Sequence, residues 1–205
     1  MYASFALSGN LEAEKARELV GGWQLASGGW RPAAELPSAN WTTSLALLLT
    51  VLRRDSRAGA VEKGLEWLGN NREGAGWAWR RRNPAAVEPT ALALLSIRLA
   101  GAAADPKVTE FLLADELSPE TCGPALVGLQ GSQEAKALLP LAARWRDEAV
   151  SPLTRAWIGI GLRLNGGSFE DAREAGGTVP RNLAVVALEA LSAAGGNHEL
   201  LQVKA

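Results

Sequence analysis

A spacing that occurs twice limits what this chain can fold into. Gln24, Gly28, Trp30 and Thr43 are followed 47 residues later by Asn71, Ala75, Trp77 and Thr90, and the Trp-to-Thr interval is 13 residues in both copies. Each copy has the same order: a charged stretch, a Gly/Trp loop, a Thr and an apolar stretch, with "SLALLLTVL" matching "ALALLSIRL". A repeat of this length is one supersecondary unit that cannot bury its own apolar face, so neighbouring units must stack. Beyond Ala104 the spacing shortens. The next helix starts, at Thr121, Thr154 and Asn182, follow at intervals of 31, 33 and 28 residues, and the aromatic loops stop.

The repeated unit reads as helical. Asp105-Pro106, Ser118-Pro119, Ser151-Pro152 and Thr178-Val179-Pro180 each precede an apolar run, which matches a capping side chain followed by proline in the first turn. Gly101, Gly131, Gly166 and Gly195 stand at the opposite ends, where a left-handed cap is expected. No segment sustains the alternation of a strand, so the expected class is all-α. The helices are of two kinds. "LEAEKARELV" and "SQEAKALLPLAARWRDEAV" carry charge on one broad face, with Pro140 expected to break or kink the second. "TTSLALLLTVL", "TALALLSIRLA", "GPALVGLQG", "TRAWIGIGLRL" and "NLAVVALEALSA" are apolar almost all round, the mark of helices with neighbours on most sides. Pairing a charged outer with an apolar inner helix gives five hairpins: 10–22 with 41–54, 57–70 with 89–100, 106–116 with 119–130, 132–149 with 152–165, and 168–175 with 180–194.

Composition narrows the classes of function. A net charge of −1 over 205 residues disfavours a general nucleic-acid or membrane-surface binder, so any electrostatic site is local. One cysteine and one histidine provide neither an internal disulfide nor a cluster of soft metal ligands. The opening "MYASFALSGN" has no basic start and no sustained apolar run, and no window approaches the ~18 apolar residues of a membrane span. The expectation is a single domain over residues 1–205 in a reducing cytoplasm. Eight Trp against three Phe and one Tyr make the tryptophans look positional.

The loops carry a resemblance. "QLASGGW", Gln24 to Trp30, resembles the QxxxGxW repeat of squalene and oxidosqualene cyclases, "NREGAGW" is a degenerate copy, and "VEPTALALLSI" is similar to the inner-helix start that follows such a loop. The family implied is the terpene cyclase and protein prenyltransferase superfamily, whose fold is an α/α toroid with inner helices around a cavity. The likeness covers roughly residues 10 to 100. It implies a toroid, or a partial toroid of about five hairpins, in which Gln24, Gly28, Trp30, Asn71 and Trp77 are structural. Independently of the resemblance, glycines allow the tight turn, the indoles cover backbone, and the Gln amide is able to bond unpaired N–H groups of a neighbouring helix.

The catalytic motifs that the resemblance implies are missing. The DxDDTA acid motif falls on Ala86, Val87, Glu88, Pro89, Thr90 and Ala91, so Glu88 takes the proton donor's place without its flanking acids. A lone carboxylate at a helix N-terminus is held as the anion, a poor acid for an alkene. The zinc set of the prenyltransferase branch finds only Asp115, Cys122 and His198, without the DxC spacing, and Glu170, Asp171 and Glu174 in "FEDAREAGG" do not form a DDxxD motif. No metal or cofactor is expected.

What the second copy adds to the first is Trp79, Arg80, Arg81, Arg82 and Glu88. With Trp77 these form the candidate ligand-binding set: guanidinium groups for a phosphate or carboxylate, and indoles for an apolar tail. The competing reading is a basic surface loop paired with Glu73 and Glu88. The function expected is a non-catalytic, cyclase-like protein binding an apolar, isoprenoid-like molecule or a protein partner. The alternative is a small isoprenoid enzyme with Glu88 as acid and Arg80 to Arg82 for a head group.

Overall fold

A computed structural model of the chain describes residues 20–52, 59–114 and 117–167. The named helices are α1 (Asn40–Leu52), α2 (Ala60–Asn70), α3 (Val87–Leu99), α4 (Pro106–Ala114), α5 (Pro119–Gly128), α6 (Gln133–Glu148) and α7 (Pro152–Leu164). Among the described residues there is no strand, only two isolated bridges, Gln24 with Trp30 and Glu73 with Gly76. The all-α expectation holds, and the observed bounds of these helices lie within three residues of the expected ones. The expected helices 168–175 and 180–194 lie outside the described residues, as does most of 10–22.

The apolar helices α1, α3, α5 and α7 form a row in which each packs on the next, while α2 lies against α1, α4 against α3, and α6 against α5 and α7. The result is two layers, as the alternation of charged and apolar helices requires. Three links between ends show that the row runs in parallel. The Arg98 guanidinium at the end of α3 donates to the Gly128 carbonyl at the end of α5 over 3.1 Å. Asn165, just past α7, donates to the Leu126 carbonyl over 2.9 Å and accepts from the Gly131 N–H over 2.9 Å. At the other end, Asn40 of α1 donates to the Ala78 carbonyl ahead of α3 over 2.8 Å.

Two apolar clusters flank this row. One lies between the layers and joins Leu47, Ala91, Leu94, Leu126 and Ile158 to Trp67, Leu68, Val108, Leu112 and Ala142 of the outer helices. The other takes nothing from α2, α4 or α6: Leu45, Leu48, Leu92, Leu95, Val127, Ile160 and Leu164 make up most of it, joined by Trp30 from the first loop. Both sides of the inner layer are therefore buried, which explains why its sequences lack a polar face.

The caps at Asp105, Ser118 and Ser151 form as expected, and Thr178, Pro180 and Gly195 lie outside the described residues. Ser118 and Thr121 form a reciprocal capping box on α5, and the Ser132 and Ser151 hydroxyls accept from the N–H groups of Ala135 and Thr154. Asp105 accepts from the Lys107 N–H over 2.9 Å and pairs with Arg72 at 2.8 Å, and these two contacts, the backbone bond first, hold its carboxyl below the usual range. Pro140 departs from expectation: α6 runs unbroken from Gln133 to Glu148. Pro140 and Lys136 are both exposed, so the carbonyl that loses its intrahelical partner lies on the water side of the helix, where solvent replaces the bond.

Candidate functional site

The two loops ahead of α1 and α3 share the same two bonds at their base. The Trp30 N–H donates to the Thr43 hydroxyl over 3.0 Å, and the Trp77 N–H donates to the Thr90 hydroxyl over 2.8 Å. The Ala39 N–H donates to the Trp30 carbonyl and the Ala86 N–H to the Trp77 carbonyl, closing the base of each loop. In each case the hydroxyl belongs to the fourth residue of an inner helix, so one threonine ties a loop to the helix that follows it. Thr121 and Thr154, in the shorter units, are third residues of their helices, and each takes part in a cap with the preceding serine instead.

The turns inside the two loops differ by one residue, for a steric reason. In the first, the left-handed position is Gly28 at φ 95°, in a loop closed by the Leu25 N–H on the Gly29 carbonyl. The second copy has Ala75 at that register, and a Cβ disfavours the left-handed region. The turn tightens to Glu73 through Gly76 and the left-handed residue becomes Gly74 at φ 65°. Gly28 has a second constraint. A Cβ there would run into the Lys63 carbonyl of α2, so the loop lies directly on the next outer helix.

The motif side chains bridge units as well. The Gln24 amide nitrogen donates to the Gly28 carbonyl over 3.1 Å and to the Ala60 carbonyl at the start of α2 over 2.9 Å. The contact with a neighbouring helix is the expected one, but Gln24 gives hydrogens to carbonyls rather than accepting from N–H groups. Asn71, its counterpart, is shorter and reaches only the Trp67 carbonyl of its own helix, over 2.7 Å. It caps α2 and does not staple a hairpin. Trp30 covers Gly64 of α2, where an added Cβ would lie 2.8 Å from the indole. Trp77 donates its indole N–H to the Leu68 carbonyl over 2.9 Å.

The residues unique to the second loop divide into two groups. Trp77 is 2% exposed with its indole N–H committed, so it belongs to the core. Trp79 is 41% exposed, and Arg80, Arg81 and Arg82 are exposed beside it. The Asn83 N–H donates to the Arg80 carbonyl, which closes a turn with Arg82 at φ 68°, the one non-glycine left-handed residue among those described. Glu73 accepts from the Arg82 backbone N–H over 3.2 Å, yet no described carboxylate lies in salt-bridge range of the three guanidinium groups. Glu88 lies in the first turn of α3, half-buried and already engaged by a neighbour.

Cys122 is a fully buried member of the interlayer cluster, and burial pushes its thiol up to about 11, the state of an inert packing residue. Asp115 and His198 lie outside the described residues, as do Glu170, Asp171 and Glu174. Among the described residues no three His, Cys, Asp or Glu side chains are grouped to hold a metal ion. No described helix is long and apolar enough to cross a membrane.

A second feature had no sequence signal strong enough to single it out. The α6–α7 corner and the start of α5 enclose an open groove of about 500 Å³, lined by Pro119, Glu120, Trp145, Glu148, Val150 and Thr154 among others. Val150 is 91% exposed and Leu153 39%, unusual for apolar residues beside capped helix starts. A Trp and a Val bracketing Asp147 and Glu148 in a charged helix end are the only hint the sequence offers. No protein-family model matches the chain, and neither a curated protein nor a solved structure matches it.

Proposed function

We propose that this chain is a non-catalytic protein-binding module, with a helical row curved into a toroid or partial toroid of the squalene cyclase and prenyltransferase type. Its binding surface is the loop Trp79–Arg82. The observation that carries the reading is the burial of the inner face: Leu45, Leu48, Leu92, Leu95, Val127 and Ile160 are each at most 3% exposed within one cluster. The resemblance implies a cavity among the inner helices, and an apolar ligand or a cyclisation reaction requires that space. Burying each such side chain contributes about 1.5–3 kcal/mol, so emptying the face for a ligand would carry a large cost.

The loop supplies what the inner face lacks. Three exposed guanidinium groups without a carboxylate partner among the described residues suit an acidic segment, and the half-exposed Trp79 indole suits an apolar residue within it. Glu88 gives the enzymatic alternative no support. It stands in the first turn of α3 with Ala86 and Pro89 in the places of the flanking acids that the acid motif requires.

Calorimetric titration with an acidic peptide, four Glu around a central Leu, tests the reading. Saturable binding that weakens with salt and is lost in Arg80→Glu/Arg81→Glu is expected, with no saturable binding of farnesol. Stoichiometric farnesol binding, or a cyclised product from a polyprenyl substrate, would replace this reading with the apolar-ligand or enzymatic one.

A further inference from the structure

The loop Trp79–Arg82 and the groove at Trp145 lie at one end of the molecule. The inner helices run parallel, and their C-terminal ends are tied together through Arg98, Gly128, Leu126 and Asn165. Their N-terminal ends therefore share the opposite side. The loop immediately precedes α3 there, and the groove opens at the starts of α5 and α7.

The two features are complementary. The loop is basic and presents an exposed indole. The groove is apolar along Trp145 and Val150 and has Glu120 and Glu148 as its ionisable lining residues. Glu148 has only a loose contact with Arg144, 3.9 Å between two groups that are each 64% exposed, which leaves it available. Trp79 and Val150 are two of the four large apolar residues exposed among those described, and they fall on these two features. A volume of about 500 Å³ takes an indole with a guanidinium beside it, and Trp145 is an aromatic side chain in its lining.

We infer that the partner of the loop is a second copy of this chain, and that the loop of each protomer occupies the groove of the other in a two-fold dimer. This rests on the reading of the loop as a surface for acidic partners. A two-fold interface needs each protomer to carry both halves of a complementary pair on one face, and the loop and groove meet that condition. The contacts formed are Arg80 and Arg81 with Glu120 and Glu148, and Trp79 against Trp145 and Val150. Desolvation of Trp79 and Val150 provides the apolar part, and the charges set the register.

Sedimentation equilibrium of the full chain at 5–200 µM, a range of about 40-fold chosen to bracket a micromolar Kd, tests this directly. The expected result is a twofold rise in mass at low salt that reverses at high salt. Arg80→Glu/Arg81→Glu and Glu120→Lys/Glu148→Lys each weaken self-association at least tenfold while far-UV circular dichroism is unchanged. An equimolar mixture of the two variants restores the dimer, because each loop then faces a groove of opposite charge. A monomer throughout the range, or a dimer indifferent to both charge reversals, overturns the inference. A mixture of two folded variants that stays monomeric does so too. The acidic-peptide titration is read separately: a monomeric chain that still binds the peptide through Arg80 and Arg81 retains the loop as a binding surface and loses only the second copy as its partner.

Discussion

The backbone N–H of Trp77 donates to the Thr90 hydroxyl over 2.8 Å, and Trp30 and Thr43 make the same bond over 3.0 Å in the preceding unit. All four residues are buried. Thr90→Val keeps the shape and removes the acceptor, leaving a buried N–H unpaired. A loss of about 1–3 kcal/mol is expected in urea unfolding, with Thr90→Ser losing less than Thr90→Val because it keeps the hydroxyl.

Gly28 and Gly101 both have positive φ, but only Gly28 has backbone within reach of an added Cβ. Gly101→Ala meets the left-handed penalty alone, about 1 kcal/mol net. Gly28→Ala adds collision with the Lys63 carbonyl and is expected to cost more than about 3 kcal/mol. Comparing the two denaturation midpoints separates loop-to-helix contact from backbone conformation.

Cys122 titrates at about 11 in the folded chain, above its ordinary value, because burial disfavours the thiolate. A raised pKa means a contribution to stability that is complete below the unfolded value of about 8.5 and is lost as pH rises through the folded one. Between these limits the stability of the native chain is expected to fall more steeply than that of Cys122→Ala. In the same protein a thiol reagent at pH 8 reacts slowly until denaturant is added.

Arg82 occupies a left-handed position that glycine fills without strain. Arg82→Gly is therefore expected to stabilise the chain by about 0.5–1 kcal/mol, the relieved strain being partly offset by the greater freedom of glycine in the unfolded state. The same substitution weakens acidic-peptide binding severalfold. Destabilisation by Arg82→Gly would show that the guanidinium supports the loop rather than a partner.

Much of the architecture is legible in the sequence because its determinants are local. Ser118 and Ser151 with the prolines that follow them define helix starts within one turn, and the Trp-to-Thr interval survives as a real bond. The unread parts depend on what lies opposite in space. Asn40 reaching Ala78 and Asn165 reaching Leu126 are set by helix neighbours 38 and 39 residues away. Pro140 stays helical because it is exposed, which the sequence alone does not reveal. The shift of the second turn from Ala75 to Gly74 follows from one missing glycine. The candidate set divides for the same reason: Trp77 and Trp79 are two residues apart, yet only the second faces water.

Nuclear magnetic resonance of the chain, labelled at Leu and Ile methyls and at the Trp indole N–H groups, tests the central claim most directly. Acidic peptide is expected to shift the Trp79 indole while the Leu45, Leu95 and Ile160 methyls stay in place, and farnesol is expected to shift none of them. Saturable movement of the Leu95 and Ile160 methyls with farnesol, and a Trp79 signal indifferent to the peptide, would contradict it.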